Sequence, residues 1–139
     1  MKRLILSVLA VFAITAVVVG CGSSNTSSSG NMELQGTWTG TLSGITMTYT
    51  FSGNNWELTE TKESTIMVQM SGTFTLDSTA NPKTLDLYTT ACPIIPTQVG
   101  MTWHSIYKLN GTNLAIANGE GGTRPISFTA DNTTNFVKQ

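Results

Sequence analysis

Apolar and hydroxylated side chains alternate with a period of two over most of this chain. Trp38, Gly40 and Leu42 alternate with Thr37, Thr39, Thr41 and Ser43, and after Gly44 the set Ile45, Met47, Tyr49 and Phe51 alternates with Thr46, Thr48 and Thr50. Strict alternation sends one row toward a core and the other toward water, which predicts half-buried β-strands. The turn Ser52-Gly53-Asn54-Asn55 leads into Trp56 and Leu58, and Glu60 then breaks the apolar row at the end of that strand. Ile66, Val68, Met70, Gly72, Phe74 and Leu76 keep one parity, with Gly72 predicting a bulge or sharp bend. Leu85 and Leu87, Trp103 to Leu109, Leu114 to Ala117, and Ile126 with Phe128 predict further strands, and Phe136-Val137 a short closing one. Asn110-Gly111 is a two-residue hairpin signal. About eight short strands with regular turn signals, and no helix-length period, predict an antiparallel barrel or sandwich.

The first twenty residues follow another rule. Lys2 and Arg3 precede an apolar run from Leu4 to Val19, broken only by Ser7 and Thr15. That run is shorter than the roughly 20 residues a bilayer span needs, so residues 1–20 read as a secretory leader. Residues 22–31 contain no apolar side chain and read as a flexible tether, with a reach of roughly 16–19 Å. The domain is then expected over residues 33–139, with 21–32 as linker.

Val18-Val19-Gly20-Cys21 resembles the lipobox of bacterial lipoproteins. The resemblance implies cleavage before Cys21, a diacylglyceryl group on its thiol and a further acyl chain, such as palmitate, on its amine. Two or more chains satisfy the two-signal rule for stable anchoring. Gly22 follows the cysteine where lipoproteins of the inner membrane often carry Asp. The implied location is therefore the bacterial cell envelope, at the outer membrane where the organism has one.

Composition narrows the function. Charged residues make up only 11% of the chain, against an ordinary share of about 25%. Without Lys2 and Arg3, five basic residues face eight acidic ones, so there is no basic field for nucleic acid. The outward rows are built from threonine, 24 in all, which suits a half-exposed pleat. One histidine and one thiol beyond Cys21 fall short of a zinc ligand set, and no phosphate-binding loop precedes a helix. Neither metal nor cofactor is expected.

Gly36-Thr37-Trp38 on the first strand resembles the lipocalin and calycin signature. Ser71 to Asp77, Asn81 to Leu87, Ile106 to Gly111 and Arg124 to Phe128 resemble blocks of small uncharacterised bacterial lipocalin-like domains. The resemblance implies an all-β, up-and-down antiparallel barrel of about eight strands, with Trp38 closing one end. It also implies that an arginine from a late strand packs over that ring, which here can only be Arg124. Tyr49, Phe51, Trp56, Phe74 and Tyr107 are expected to line the interior. Glu60 shares the parity of Trp56 and Leu58 but lies at the strand's end, where a barrel rim leaves it solvated; a lone inward carboxylate that orients a ligand is the lesser alternative. Small eight-stranded barrels either fill themselves or hold one small ligand.

Two other features bear on chemistry. The loop after Cys92 carries Ile94, Ile95 and Val99, unusually apolar for a loop; these side chains cap the core, form a lid or dock a partner. A cysteine nucleophile at Cys92 would need His104, the one imidazole, as base, with no basic cluster or helix N-terminus to stabilise a thiolate. The expected function is binding without catalysis. The membrane is engaged through the acyl chains, and the body holds a small apolar ligand in or at the mouth of the barrel. The alternative is an interaction or enzyme-inhibitor module that engages an envelope protein through residues 92–99.

Overall fold

Eight antiparallel strands close in sequence order into one barrel. A computed structural model describes residues 29–119 and 122–139; the leader, Cys21 and most of the tether lie outside them. The strands are β1 Gly36–Leu42, β2 Ile45–Ser52, β3 Asn55–Lys62, β4 Thr65–Asp77, β5 Lys83–Ala91, β6 Thr102–Asn110, β7 Asn113–Asn118 and β8 Thr133–Lys138. Closure comes from β1 against β8, with Trp38 opposite Lys138 and Gly40 opposite Phe136. A Cβ at Gly40 would stand 2.3 Å from the Asn135 carbonyl oxygen, so only glycine lets these two strands meet.

The parity read from the sequence is the parity of the barrel. Trp38, Tyr49, Phe51, Trp56, Leu58 and Phe74 all belong to one buried interior cluster, while the threonine rows face out. Irregularities occur between Glu60 and Thr61 and between Ser71 and Gly72. Gly72 stands opposite Trp56 on one side and Thr89 on the other. A Cβ there would come within 1.8 Å of the Tyr88 carbonyl oxygen, so the bend requires a residue without a side chain.

The alternation of hairpins gives the barrel two different ends. A 3-10 turn, Ser29–Leu34, packs into the end where β1 begins, four residues ahead of the expected domain boundary. Leu34 is fully buried and its carbonyl accepts a hydrogen bond from Trp38 Nε1 at 2.7 Å. Asn31 Nδ2 donates to Asn54 Oδ1 at 2.7 Å, and Gln35 clips Gly53 through both its amide oxygen and nitrogen. This end is closed. The opposite end, framed by the β1–β2, β3–β4, β5–β6 and β7–β8 connections, is open.

One strand assignment differs from the sequence reading. Residues 126–128 are not the eighth strand; they lie in the long β7–β8 connection, with Ile126 90% exposed. Asn132 holds a turn there, accepting from the Thr129 N–H and donating to the Ser127 carbonyl. The closing strand is Thr133–Lys138, which contains the expected Phe136-Val137. Ile106 and Ala117 pair on the outward row, yet both are buried and neither joins the interior cluster. Residues 122–132 of the β7–β8 connection form a strap tied to the neighbouring Ser105 carbonyl by Arg124.

Candidate functional site

A cavity of about 120 Å³ lies inside the open half of the barrel, lined by Tyr49, Trp56, Leu58, Glu60, Met70, Leu87, Trp103 and Asn118. It shares Tyr49, Glu60 and Asn118 with a wider depression of about 690 Å³ at the mouth. Leu42, Met47 and Phe136 give the mouth an apolar side, and Arg124, Asp131 and Asn132 of the strap a polar one. The outer depression falls within the range of ordinary small-molecule sites.

Glu60 is the polar centre of this space. It occupies an inward position of β3 between Met47 on β2 and Val68 on β4. Half-burial raises its pKa, because leaving water disfavours the carboxylate. Among the described residues it has no ion-pair partner. Its charge is felt across the cavity: Tyr49, already pushed up by complete burial, is raised further by Glu60.

The aromatic walls depend on strand details. Trp56 stands opposite Gly72, and its Nε1 reaches past that bend to donate to the Tyr88 carbonyl at 3.2 Å. Tyr49 lies beside it with ring centroids 6.2 Å apart and planes inclined by 47°. Trp103 faces in from β6 opposite Leu87, and its buried Nε1 has no hydrogen-bond partner among the described residues. A buried donor without an acceptor is costly to leave unpaired.

The strap that borders the mouth is pinned by one guanidinium. Arg124 Nη1 donates to the Ser105 carbonyl and Nη2 to Asp86 Oδ1, both at 2.6 Å. His104 Nδ1 lies 2.7 Å from the same carboxylate oxygen, across the β5–β6 ladder. Arg124 therefore does not pack over Trp38. The cation over that ring is Lys138, with Nζ 5.2 Å from the centroid. The reason is the strand assignment: once β8 runs from Thr133 to Lys138, register sets Lys138 beside Trp38, while Arg124 belongs to the connection before it.

Of the expected interior residues, Tyr49 and Trp56 line the cavity. Phe51 and Phe74 instead pack edge to face at 4.9 Å and line neither the cavity nor the mouth. Tyr107 is buried on the closed side, where its hydroxyl donates to Glu33 and Lys83 Nζ lies 5.7 Å from its ring. Glu33 also pairs with Lys83 at 2.9 Å. Burial pushes the Glu33 pKa up, but hydrogen bonds from Lys83 and Tyr107 outweigh it and leave it lowered. Ile94, Ile95 and Val99 do not cap the core; all three are exposed, and only Cys92 of that segment is buried. Cys92 is a free thiol, while the His104 ring nitrogen is engaged by Asp86.

The sequence reading missed Trp103, Met70 and Asn118 as cavity residues. Their signal was present: each shares the parity of an inward neighbour, Trp103 with Tyr107, Met70 with Phe74 and Asn118 with Ile116. The Asp86, His104 and Arg124 contact had no such signal, since it needs both the β5–β6 register and the path of the strap. Among the described residues no three acidic, histidine or cysteine side chains group as a metal site would require. Comparison with protein-family models, curated proteins and solved structures finds no match to this chain.

Proposed function

We propose that this protein is a lipocalin-like lipoprotein of the bacterial envelope whose barrel binds a small ligand through its open end and carries out no catalysis. The observation that carries the reading is the asymmetry of the barrel. One end is plugged by Leu34 and clipped by hydrogen bonds, while the other keeps a cavity continuous with a wider mouth and centred on an unpaired carboxylate. The aromatics that line it supply the apolar contact area, and Glu60 supplies orientation. The buried Cys92 and the Asp86-bound His104 favour structural roles for both over thiol chemistry.

The leader and Cys21 add the anchor to this reading. The chain enters the barrel at its closed end, opposite the mouth. Mass spectrometry of the membrane-extracted protein tests the anchor: an N-terminal peptide beginning at acylated Cys21 is expected, and an unmodified leader would remove it. Ligand-observed NMR with small amphipathic compounds tests the barrel. Binders should compete for one site and be lost in Met70→Trp, which fills the cavity, with the thermal midpoint checking that the variant folds. Binding that persists unchanged in the folded variant would place the ligand elsewhere.

A second reading is favoured by the exposed apolar loop, where Ile94 and Val99 are each about half exposed beside Met101. These side chains fit a docking surface for an envelope protein. Replacing Ile94 and Ile95 with Ser would abolish such an interaction and leave ligand binding in the barrel intact.

A further inference from the structure

We propose that the cavity at the open end takes the head of a small organic cation, an ammonium group carried on a short alkyl body. This rests on reading the open end as a ligand site and adds the chemical class of the ligand. Glu60 is the one acid lining the inner cavity, and among the described residues it makes no ion pair, whereas Glu33 and Asp86 both do. A carboxylate drawn partly out of water has lost hydration that nothing among the described residues replaces. A cation in the cavity would replace it.

The rest of the wall favours the same ligand. Tyr49, Trp56 and Trp103 line the cavity with Glu60, and an aromatic ring attracts a cation through its negative face. The planes of Tyr49 and Trp56 are inclined by 47°, and one face of Tyr49 is stacked on Phe51 with centroids 5.6 Å apart. A set of rings closed by a carboxylate is the arrangement by which proteins recognise substituted ammonium groups. Size agrees as well. About 120 Å³ is slightly less than the roughly 150 Å³ that holds benzene, so it fits a head of about five heavy atoms. A longer body would run out along Leu42, Met47 and Phe136.

The chain's own cations do not compete for this position. Arg124, the cation at the mouth, is bound to the Asp86 carboxylate and the Ser105 carbonyl. An anionic head would have to sit beside Glu60, where like charges repel. Choline carries a substituted ammonium of this size on a short alkyl body, which makes it the natural probe.

Titration of the full-length protein with choline and with 3,3-dimethyl-1-butanol, its uncharged carbon isostere, decides the matter. Tryptophan fluorescence and the indole N–H resonances report on the site. Choline is expected to bind at least tenfold more tightly than the alcohol, which corresponds to about 1.4 kcal/mol. Glu60→Gln should weaken choline about tenfold or more and leave the alcohol unchanged, with a thermal midpoint no lower than that of the unmodified protein. Equal affinity for the two probes, or preference for the alcohol, would overturn the cation class while leaving the open end as a ligand site. Absence of binding by either would overturn both readings. Loss of both probes together in Glu60→Gln would assign Glu60 a structural part and end the proposal. The comparison of the two probes on the unmodified protein needs no variant to fold.

Discussion

At the closed end of the barrel Glu33 accepts hydrogen bonds from Lys83 and from the Tyr107 hydroxyl; at the open end Glu60 lies near Tyr49 with no cation beside it among the described residues. Both acids are partly buried and each has a buried tyrosine for a neighbour. Their pKa values nonetheless move in opposite directions, Glu33 down and Glu60 up. Burial pushes both upward, and the difference lies in the donors that oppose it. Lys83 and Tyr107 satisfy Glu33, so that end is finished as structure. Glu60 has lost water without gaining a partner, and the cavity beside it is where a partner fits. Two sites of similar composition thus differ in that only one is internally complete among the described residues.

The largest effect should come from unplugging the closed end. Leu34→Ala is expected to lower stability by about 3 kcal/mol, since a fully buried leucine leaves a cavity under Trp38. Met47→Ala at the partly exposed mouth should cost about 1 kcal/mol. Chemical denaturation of both variants measures the contrast, and equal losses would erase the distinction between the ends.

Next in size is Gly72→Ala, expected to cost about 2 kcal/mol because the new methyl meets backbone that cannot rotate away. It should also shift the Trp56 indole resonance, since that side chain crosses the bend. A stable variant with an unshifted Trp56 signal would show that the bend is not what positions this wall.

Freeing the strap is a smaller change. Arg124→Gln removes a partly exposed ion pair and a hydrogen bond to Ser105, for an expected loss of about 1 kcal/mol. Hydrogen exchange should quicken in residues 122–132 and stay unchanged in the 3-10 turn at the closed end. Uniform protection of the strap in the variant would mean that other contacts hold it.

The finest test is the sign of two pH dependences. Glu33 has a folded pKa below its ordinary 4.5, so its contribution is present above pH 4.5 and is lost as pH falls through the lower folded value. Glu33→Gln should therefore destabilise at neutral pH and lose that effect in acid. Glu60 has a folded pKa above 4.5, so the folded state holds its proton more tightly and stability declines as pH rises through that window. Glu60→Gln should equal or exceed the unmodified protein at neutral pH, and the difference should vanish below pH 4.5. Thermal midpoints recorded from pH 3 to 7.5 separate the two, and the same sign for both variants would contradict the contrast drawn here.

Much of the architecture is written locally. Alternation depends on nearest neighbours in the chain, so Tyr49, Phe51, Trp56 and Phe74 were identifiable as interior side chains before any strand was paired. Gly72 announced its bend because a glycine amid six residues of one parity has few other uses. Ile126-Ser127-Phe128 misled because three alternating residues match a strand as well as they match a turn, and the Asn132 contacts that hold that turn come from further along the chain.

The periodicity of the sequence by itself determined that this chain forms short antiparallel strands of a barrel or sandwich and which side chains point inward, because a pleated strand sends successive residues to opposite faces; closure of β1 on β8 was decided by the tertiary structure. Which inward residues are packed and which border a cavity was decided only in three dimensions. It depended on strand register, on the 3-10 turn that fills one end, and on the placement of Lys83 beside Glu33 with no counterpart for Glu60. Those distances couple residues far apart in the chain, and no local pattern carries them.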